Sequence, residues 1–235
     1  MTAVHEHQLI SAQALANQLA LAVAAQLQQA IEHQGHAVLA VSGGKSPIAF
    51  FEVLREQDLH WDLVTITLVD ERCVPRDHAD SNAALVRTHL LQSRAQAARF
   101  IPLVDEAGPD MPAPDVLVQR AQQRWQDLLA ANVVVLGMGD DGHTASLFPH
   151  AQALPQGLDL GNTSRLLAVR PTVAPHWRIS MTLAEILRAD HIALSLGGAA
   201  KVPVYRNACQ SVDDALPVSH VLHAQHPSTH VWMHA

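Results

Sequence analysis

One short stretch of the sequence combines an imidazole with two carboxylates inside a glycine-rich turn. Residues 137–149 read GMGDDGHTASLFP, so Asp140 and Asp141 closely precede His143. An imidazole titrates near neutral pH and can take a proton from water, and a neighbouring carboxylate can fix its tautomer and stabilise the imidazolium. We therefore interpret His143 as a candidate general base and Asp141 as its partner. The alternative is a loop histidine beside a capping aspartate.

The same stretch has the glycine spacing of a dinucleotide-binding turn, but its charge argues against that function. Gly137, Gly139 and Gly142 match the pattern G-x-G-x-x-G. Such a turn holds a pyrophosphate at the amino terminus of a helix, where the two aspartates would repel it. A long helix should also follow, whereas Phe148 and Pro149 come soon after. We therefore expect no nicotinamide cofactor.

A second glycine-rich stretch favours anion binding. Residues 42–47 read SGGKSP, and Gly43 and Gly44 would let backbone N–H groups approach an anion closely in front of a helix. The Gly-Lys-Ser letters resemble part of a P-loop, but Leu39 stands where the P-loop has its first glycine, and Pro47 stands where the P-loop's helix runs on after the serine. The stretch predicts a simple phosphate site, with a plain tight turn as the alternative.

Two further stretches carry cationic side chains that suit a phosphate. Asp70-Glu-Arg72 offers a guanidinium fork and a carboxylate, which could act as a base or as an orienting group. Alternatively, its acids are helix caps or solvated loop residues. Lys201 follows a glycine pair in GGAAK and can supply a point charge, although an ordinary surface lysine is the competing interpretation.

Strands alternate with helices around these stretches. The apolar, β-branched runs predict strands, and the longer Ala-, Leu- and Gln-rich runs predict helices, with caps at Ser11, Ser46 and Thr182 and a stop at Gly35. The predicted strands are 36–42, 62–70, 132–137, 165–170, 176–182, 191–198 and 229–234, the predicted helices are 9–34, 46–55, 81–91, 115–130, 183–189 and 199–208, and 99–114 is predicted to be irregular.

This alternation predicts an open α/β fold, with a mostly parallel, twisted sheet and helices on both faces. We find no strong linker and expect one domain over residues 1–235. Each of the four chemically unusual stretches directly follows a predicted strand. Ligands of such sheets bind beyond the carboxyl ends of the strands, so the four loops are expected to converge on one site.

Composition excludes several classes of function. The formal net charge of −7 argues against a protein that wraps nucleic acid. The sequence contains no uncharged apolar stretch of about 18 residues, so we expect no membrane partner. Two distant cysteines and the absence of a signal-peptide pattern in the first residues are typical of a cytoplasmic protein. The 16 histidines lack the tight ligand spacing of a zinc site, so we expect no metal.

Four motifs together resemble the 6-phosphogluconolactonase family. They are VSGGKSP at 41–47, LVDERCVP at 68–75 with Ser81-Asn82 following, LGMGDDGHTASLFP at 136–149 and GAAK at 198–201. They occur in the family's order and span most of the chain, and the DGHTASLFP run is long and specific.

The resemblance implies an α/β fold related to glucosamine-6-phosphate deaminase and hydrolysis of 6-phospho-D-glucono-1,5-lactone to 6-phosphogluconate, without a metal or organic cofactor. It implies that His143 is the general base and that Asp141 and Asp70 match acidic positions of related sites. The remaining candidate residues would bind the substrate and its phosphate: Ser42, Gly43, Gly44, Lys45, Arg72, Arg178 and Lys201.

Two other functions remain open. An amino-sugar-phosphate isomerase or deaminase would share the glycine and Asp-Gly-His signatures, but that enzyme carries Asn-Glu-Pro after the histidine, where this chain has Leu147, Phe148 and Pro149. A phenylalanine cannot transfer the proton that the glutamate transfers. A non-catalytic sugar-phosphate sensor is the second alternative, although the chain shows no basic DNA-binding segment and keeps the Asp/His pair.

Overall fold

A computed structural model describes residues 4–226 and 228–234 and contains a seven-stranded parallel sheet. Its strands are β1 (His5–Leu9), β2 (Ala37–Val41), β3 (Val64–Leu68), β5 (Arg99–Ile101), β6 (Val133–Gly137), β9 (His191–Gly197) and β10 (Thr229–His234). Their order is β1-β10-β9-β6-β2-β3-β5, and every neighbouring pair is parallel. The predicted parallel α/β fold is confirmed.

A second, three-stranded sheet is antiparallel and lies beyond the end of β3. It contains β4 (Asp70–Arg72), β7 (Leu166–Val169) and β8 (Arg178–Met181), in the order β4-β8-β7. The single strand predicted over 62–70 is therefore wrong at its end. β3 stops at Leu68, and Asp70 begins a strand of the other sheet.

The helices that connect these strands cover most of the predicted helical segments. They are α1 (Ala12–Gln34), α2 (Ile48–Leu54), α3 (Asn82–His89), α4 (Pro114–Arg124), α5 (Leu154–Leu158), α6 (Leu183–Ile186), α7 (Lys201–Ala208) and α8 (Val218–His223), with 3-10 turns at Trp61–Leu63 and Ser93–Ala97. Within the two described ranges, none is long and apolar enough to cross a bilayer.

Two of the three predicted helix caps and the predicted glycine stop are confirmed. Ser11 and Thr182 accept hydrogen bonds from Ala14 N and Glu185 N, and Gly35 ends α1 at φ 79°, as predicted. The predicted cap at Ser46 is wrong. Pro47 occupies the N-cap position of α2 without a side-chain hydrogen bond, because Ile48 is the first helical residue.

A single hydrophobic cluster extends through both sheets. Leu19 and Leu27 of α1 pack into it together with Ile66 of β3 and Leu194 of β9, and Ile179 of β8 belongs to the same cluster. β2 is fully apolar, with five consecutive buried residues, as is typical of a parallel strand that is covered on both faces. This packing fixes the carboxyl ends of the strands against the second sheet.

Stacked imidazoles join the edge strand β1 to β10. The rings of His5 and His7 stack on His230, and His7 also stacks on Trp232 with centroids 3.9 Å apart. His7 Nε2 and His230 Nδ1 are 2.9 Å apart and share a hydrogen bond, so both rings cannot be protonated at once without losing it. Burial, followed by the neighbouring imidazoles including His191, lowers the pKa of His230, and burial and His5 lower the pKa of His7.

We expect stability to fall as the pH is lowered past 6.5, the ordinary histidine pKa. A lowered pKa in the folded state means that the unfolded chain binds more protons, so stability is present above pH 6.5 and is lost as the pH falls through the folded pKa values. Urea unfolding at pH 7.5, 6.5 and 5.5 measures this loss. His230→Phe should reduce this loss of stability, and His60→Asn, at an exposed histidine, should not. If the unfolding free energy of wild type and of both variants depended equally on pH, the loss would not come from His230.

Candidate active site

The four loops predicted to converge do so. β9, β6, β2 and β3 are consecutive neighbours in the parallel sheet, and the loops leave the same edge. They surround a cavity of about 230 Å³. Eight of the ten candidate residues line this cavity: Ser42, Gly43, Gly44, Asp70, Arg72, His143, Arg178 and Lys201.

Lys45 and Asp141 do not line the cavity. The Lys45 side chain is exposed to solvent, beside the glycine pair. Asp141 lies behind His143 and contacts its ring instead of the cavity. The tertiary structure therefore separates Lys45 from the other cations and gives Asp141 a position from which it can act only through the histidine.

His143 is held by hydrogen bonds on one side and is free on the other. Its Nδ1 lies 2.5 Å from Asp141 Oδ1, and its backbone N–H donates to the same oxygen at 3.2 Å. A carboxylate at Nδ1 fixes the tautomer in which Nε2 is the proton acceptor. Nε2 makes no hydrogen bond to any described residue, so the basic nitrogen remains available to a ligand in the cavity.

The electrostatics of Asp141 support this pairing. Burial works to raise the pKa of Asp141, but the hydrogen bond and charge of His143, with backbone N–H donors, outweigh it and hold the pKa below the usual 3.8. The carboxylate is therefore charged at neutral pH and stabilises a positive imidazole.

Glycines and an aromatic ring shape the loop around His143. A Cβ on Gly139 would collide with the His143 ring and lie 2.6 Å from Asp141 Oδ1, so only glycine permits the pair to form there. Gly142 has φ 76°, a conformation that glycine adopts without strain. The Phe148 ring lies 4.1 Å from the His143 ring and 5.5 Å from Arg178 Cζ, and so supports the imidazole and a cation together.

Two guanidinium groups also line the cavity. Arg72 of β4 and Arg178 of β8 are register partners in the antiparallel pair. Like charges directly opposite are unfavourable unless an anion lies between them. Burial lowers the pKa of Arg178, Asp70 opposes this effect, and Arg72 adds to it. The Nε atoms of both arginines are buried and have no partner in the described part of the chain.

Asp70 is buried among hydrogen-bond donors. Its Oδ2 accepts from Ser146 Oγ at 2.5 Å and lies 3.9 Å from Arg178 Nη1, and its Oδ1 lies 3.5 Å from Asn82 Nδ2. Ser146 belongs to the loop that carries His143. This arrangement lets Asp70 join the arginine end of the cavity to the histidine loop, which fits an orienting group better than a mobile base.

Glu71 is outside the ten candidate residues, but it bears out the alternative interpretation of the acids in Asp70-Glu-Arg72 as helix caps. It is fully buried, and its carboxylate accepts from Arg72 N at 2.7 Å, Asn82 N at 2.8 Å, Ala83 N at 2.7 Å and Ser81 Oγ at 3.2 Å. Burial raises the pKa of Glu71 to about 7, against the lowering effect of the backbone donors. The carboxylate occupies the amino terminus of α3, so that terminus cannot bind a ligand anion.

Asn82 is the second such residue. It is 1% exposed, lines the cavity and donates from Nδ2 to the Asp70 carbonyl at 2.9 Å. Ser81 before it is the N-cap of α3, and that capping signal is visible in the sequence. Apart from the bond from the adjacent Arg72 N to Glu71, the contacts of Asn82 and Glu71 connect residues at least ten positions apart, so no local spacing indicates them.

Of the remaining candidates, Ser42 and Lys201 already make hydrogen bonds within the protein, and Gly44 contributes its backbone conformation. Ser42 donates to the Val135 carbonyl at 3.0 Å and accepts from Gly137 N at 3.1 Å, so its hydroxyl ties the ends of β2 and β6 together. Gly44 has φ 87°, which requires glycine. Lys201, the first residue of α7, donates from Nζ to the Met138 carbonyl at 2.6 Å, which holds its charge at the cavity.

The chain matches a known protein family over most of its length. The sequence profile of the glucosamine-6-phosphate isomerase/6-phosphogluconolactonase family matches residues 10–232. The chain belongs to this family, and the predicted resemblance is confirmed.

Individual members of the family that are similar to this chain are named 6-phosphogluconolactonases. A 6-phosphogluconolactonase of Neisseria meningitidis serogroup A is 44% identical over 96% of this chain and 97% of the relative, and one of Pseudomonas putida is 44% identical over 94% and 90%. The crystal structure of a 6-phosphogluconolactonase from Shewanella baltica superimposes with a TM-score of 0.93 at 38% identity, over 99% of this chain and 98% of the other. A monomeric glucosamine-6-phosphate deaminase shares the fold, with a TM-score of 0.80 at 17% identity over 98% and 97%.

Proposed function

We propose that this chain hydrolyses 6-phospho-D-glucono-1,5-lactone to 6-phosphogluconate. The observation that carries the proposal is one cavity with a free imidazole nitrogen in one part of its wall and the side chains of Arg72, Arg178 and Lys201 in another. Curated relatives at 44% identity bear the name of this activity. We further propose that it acts in the cytoplasm on this small molecule, without a nucleic-acid or membrane partner, consistent with its net charge of −7.

The phosphate is assigned to the cationic end. An anion placed between Arg72 and Arg178 relieves the repulsion of these register partners, and Lys201 adds a further donor. Gly43 and Gly44 line the same cavity, and we assign their backbone N–H groups as further donors to the phosphate. Holding the phosphate here fixes the remote lactone carbonyl near His143 and lowers the entropic part of the barrier.

The chemical step uses the free nitrogen of His143. Nε2 takes a proton from a water molecule as that water attacks C1, and Asp141 stabilises the resulting imidazolium. The tetrahedral oxyanion then collapses, the bond between C1 and the ring oxygen breaks, and the ring oxygen receives the proton from Nε2. The neutral imidazole is regenerated, and water has been added across the ester bond.

A deaminase reaction is disfavoured by the same loop. The side chain of Phe148 is packed against His143 and Arg178, where it offers no group that can transfer a proton to a sugar ring. We therefore expect no release of ammonia from glucosamine 6-phosphate.

A coupled assay tests the proposal. Glucose-6-phosphate dehydrogenase generates the lactone in situ, and 6-phosphogluconate dehydrogenase then reports the acid product as a second burst of NADPH. We expect the purified protein to accelerate that second phase in proportion to its concentration. A rate equal to spontaneous hydrolysis, with 6-phosphogluconate still bound, would instead support a sensor.

Lys201→Ala is expected to raise KM for the lactone about 10- to 100-fold with a smaller change in kcat, because a charge-assisted hydrogen bond contributes about 1.5–3 kcal/mol. Steady-state kinetics measure the effect. Lys45→Ala is the matched control, since this lysine is exposed and outside the cavity wall, and it should leave KM within about twofold. Equal KM values for the two variants would remove Lys201 from the phosphate site.

A further inference from the structure

Gly43 and Gly44 are adjacent, but they must be glycine for different reasons. Gly44 has φ 87°, and a Cβ built on it would meet no atom within 4 Å. The φ of Gly43 lies outside the left-handed region, yet a Cβ there would collide with Oδ1 and Cγ of Asn82 and lie 2.6 Å from its Nδ2. The three atoms nearest to that Cβ all belong to Asn82.

The Asn82 side chain cannot swing aside at low cost. It is 1% exposed, its backbone N–H donates to Glu71 Oε1, and its Nδ2 donates to the Asp70 carbonyl at 2.9 Å. These bonds also fix the orientation of the amide, because exchanging its N and O atoms would place two carbonyl oxygens together. Oδ1 therefore faces Gly43, and it has no hydrogen-bond partner within residues 4–226 and 228–234.

Asn82 contacts both halves of the site. On one side its carboxamide abuts the Ser42–Gly44 loop. On the other side it holds Asp70, whose Oδ2 accepts from Ser146 Oγ, three residues beyond His143. One path from the anion-binding loop to the histidine loop thus runs through a rigid amide and a buried carboxylate, beside the link that the Ser42 hydroxyl makes to Val135 and Gly137.

We propose that Asn82 is a positioning residue whose carboxamide sets the distance between the phosphate-binding loop and the general base. Gly43 is glycine because Asn82 fills the space of its side chain. This inference rests on the proposed lactonase function for its kinetic consequences, while the steric contact itself can be tested without activity.

A double-mutant cycle tests the proposal. Gly43→Ala should lower kcat/KM about 100-fold, with a raised KM, since displacements near 1 Å have effects of this size. Asn82→Ala should lower kcat/KM about 10-fold, because the Ser42–Gly44 loop loses the carboxamide against which it packs. The double variant should return to the level of Asn82→Ala, about 10-fold above Gly43→Ala, and its Tm should rise in parallel. If the two substitutions acted independently, their losses in kcat/KM would multiply, and the double variant would be less active than either single variant.

Gly44→Ala is the matched control. Its cost comes from positive φ in open space, so adding Asn82→Ala should rescue neither its Tm nor its kinetics. If Gly43→Ala does not fold, recovery of folded protein in the double variant is itself the rescue.

Failure to rescue Gly43→Ala, or rescue of Gly44→Ala to the same extent, would overturn the inference. Recovery of Tm with KM and kcat still at the level of Gly43→Ala would show that Asn82 fills space without positioning the loops, and would also overturn it. A wild-type protein without lactonase activity would reject the proposed function, whereas the Tm cycle would still report on the steric contact.

Discussion

His143→Ala is expected to lower kcat about 10³-fold, because general-base catalysis contributes about 10²- to 10⁴-fold and no other imidazole lines the cavity among the described residues. Binding of 6-phosphogluconate should weaken less than about threefold, since the phosphate is held at the arginine end. Coupled kinetics and calorimetric titration of the product measure the two quantities. Equal losses in rate and product binding would contradict the base assignment.

Two further variants test the role of His143. His150→Asn alters an exposed histidine of the same segment that does not line the cavity, so kcat should stay within about twofold. Asp141→Asn removes the carboxylate at Nδ1 and favours the wrong tautomer, so kcat should fall at least about 10-fold with little change in KM. An unchanged kcat in Asp141→Asn would mean that Asp141 does not act through the histidine.

Glu71→Ala is expected to have the largest effect on stability, lowering the free energy of unfolding by about 3–5 kcal/mol. The change leaves three backbone N–H groups, of Arg72, Asn82 and Ala83, without their acceptor in a buried place. For a chain of this length the Tm should fall by roughly 6–20 °C. Calorimetry and urea unfolding measure the loss.

The control for Glu71 is Glu32→Ala on the exposed face of α1, where the change in unfolding free energy should stay within about 0.5 kcal/mol. Glu71→Gln keeps the shape of the side chain but offers only one acceptor oxygen, so its loss of unfolding free energy should lie between those of Glu32→Ala and Glu71→Ala. A Glu71→Ala protein as stable as wild type would show that water replaces the carboxylate and that α3 does not depend on it.

Local patterns predicted most of the fold. The buried strands β2, β6 and β9 are apolar runs that end in glycine-rich or polar loops, and α1 begins at the cap Ser11 and ends at Gly35, so short-range chemistry suffices to place them. β1 was missed because the edge of the sheet tolerates the polar sequence HEHQL, and β5 because three residues carry no period. α5 and α8, five and six residues long, were missed for the same reason.

The sequence by itself determined the pairing of Asp141 with His143, because the two residues lie two positions apart on a glycine-bounded turn. Only the tertiary structure decided which cations share the cavity, because Arg72 and Arg178 meet through a strand pairing more than 100 residues apart in sequence, while Lys45 turns to solvent. It likewise decided that Asp70, Glu71 and Asn82 are locked by hydrogen bonds. Long-range contacts depend on how sheets and helices pack, and no local spacing encodes them.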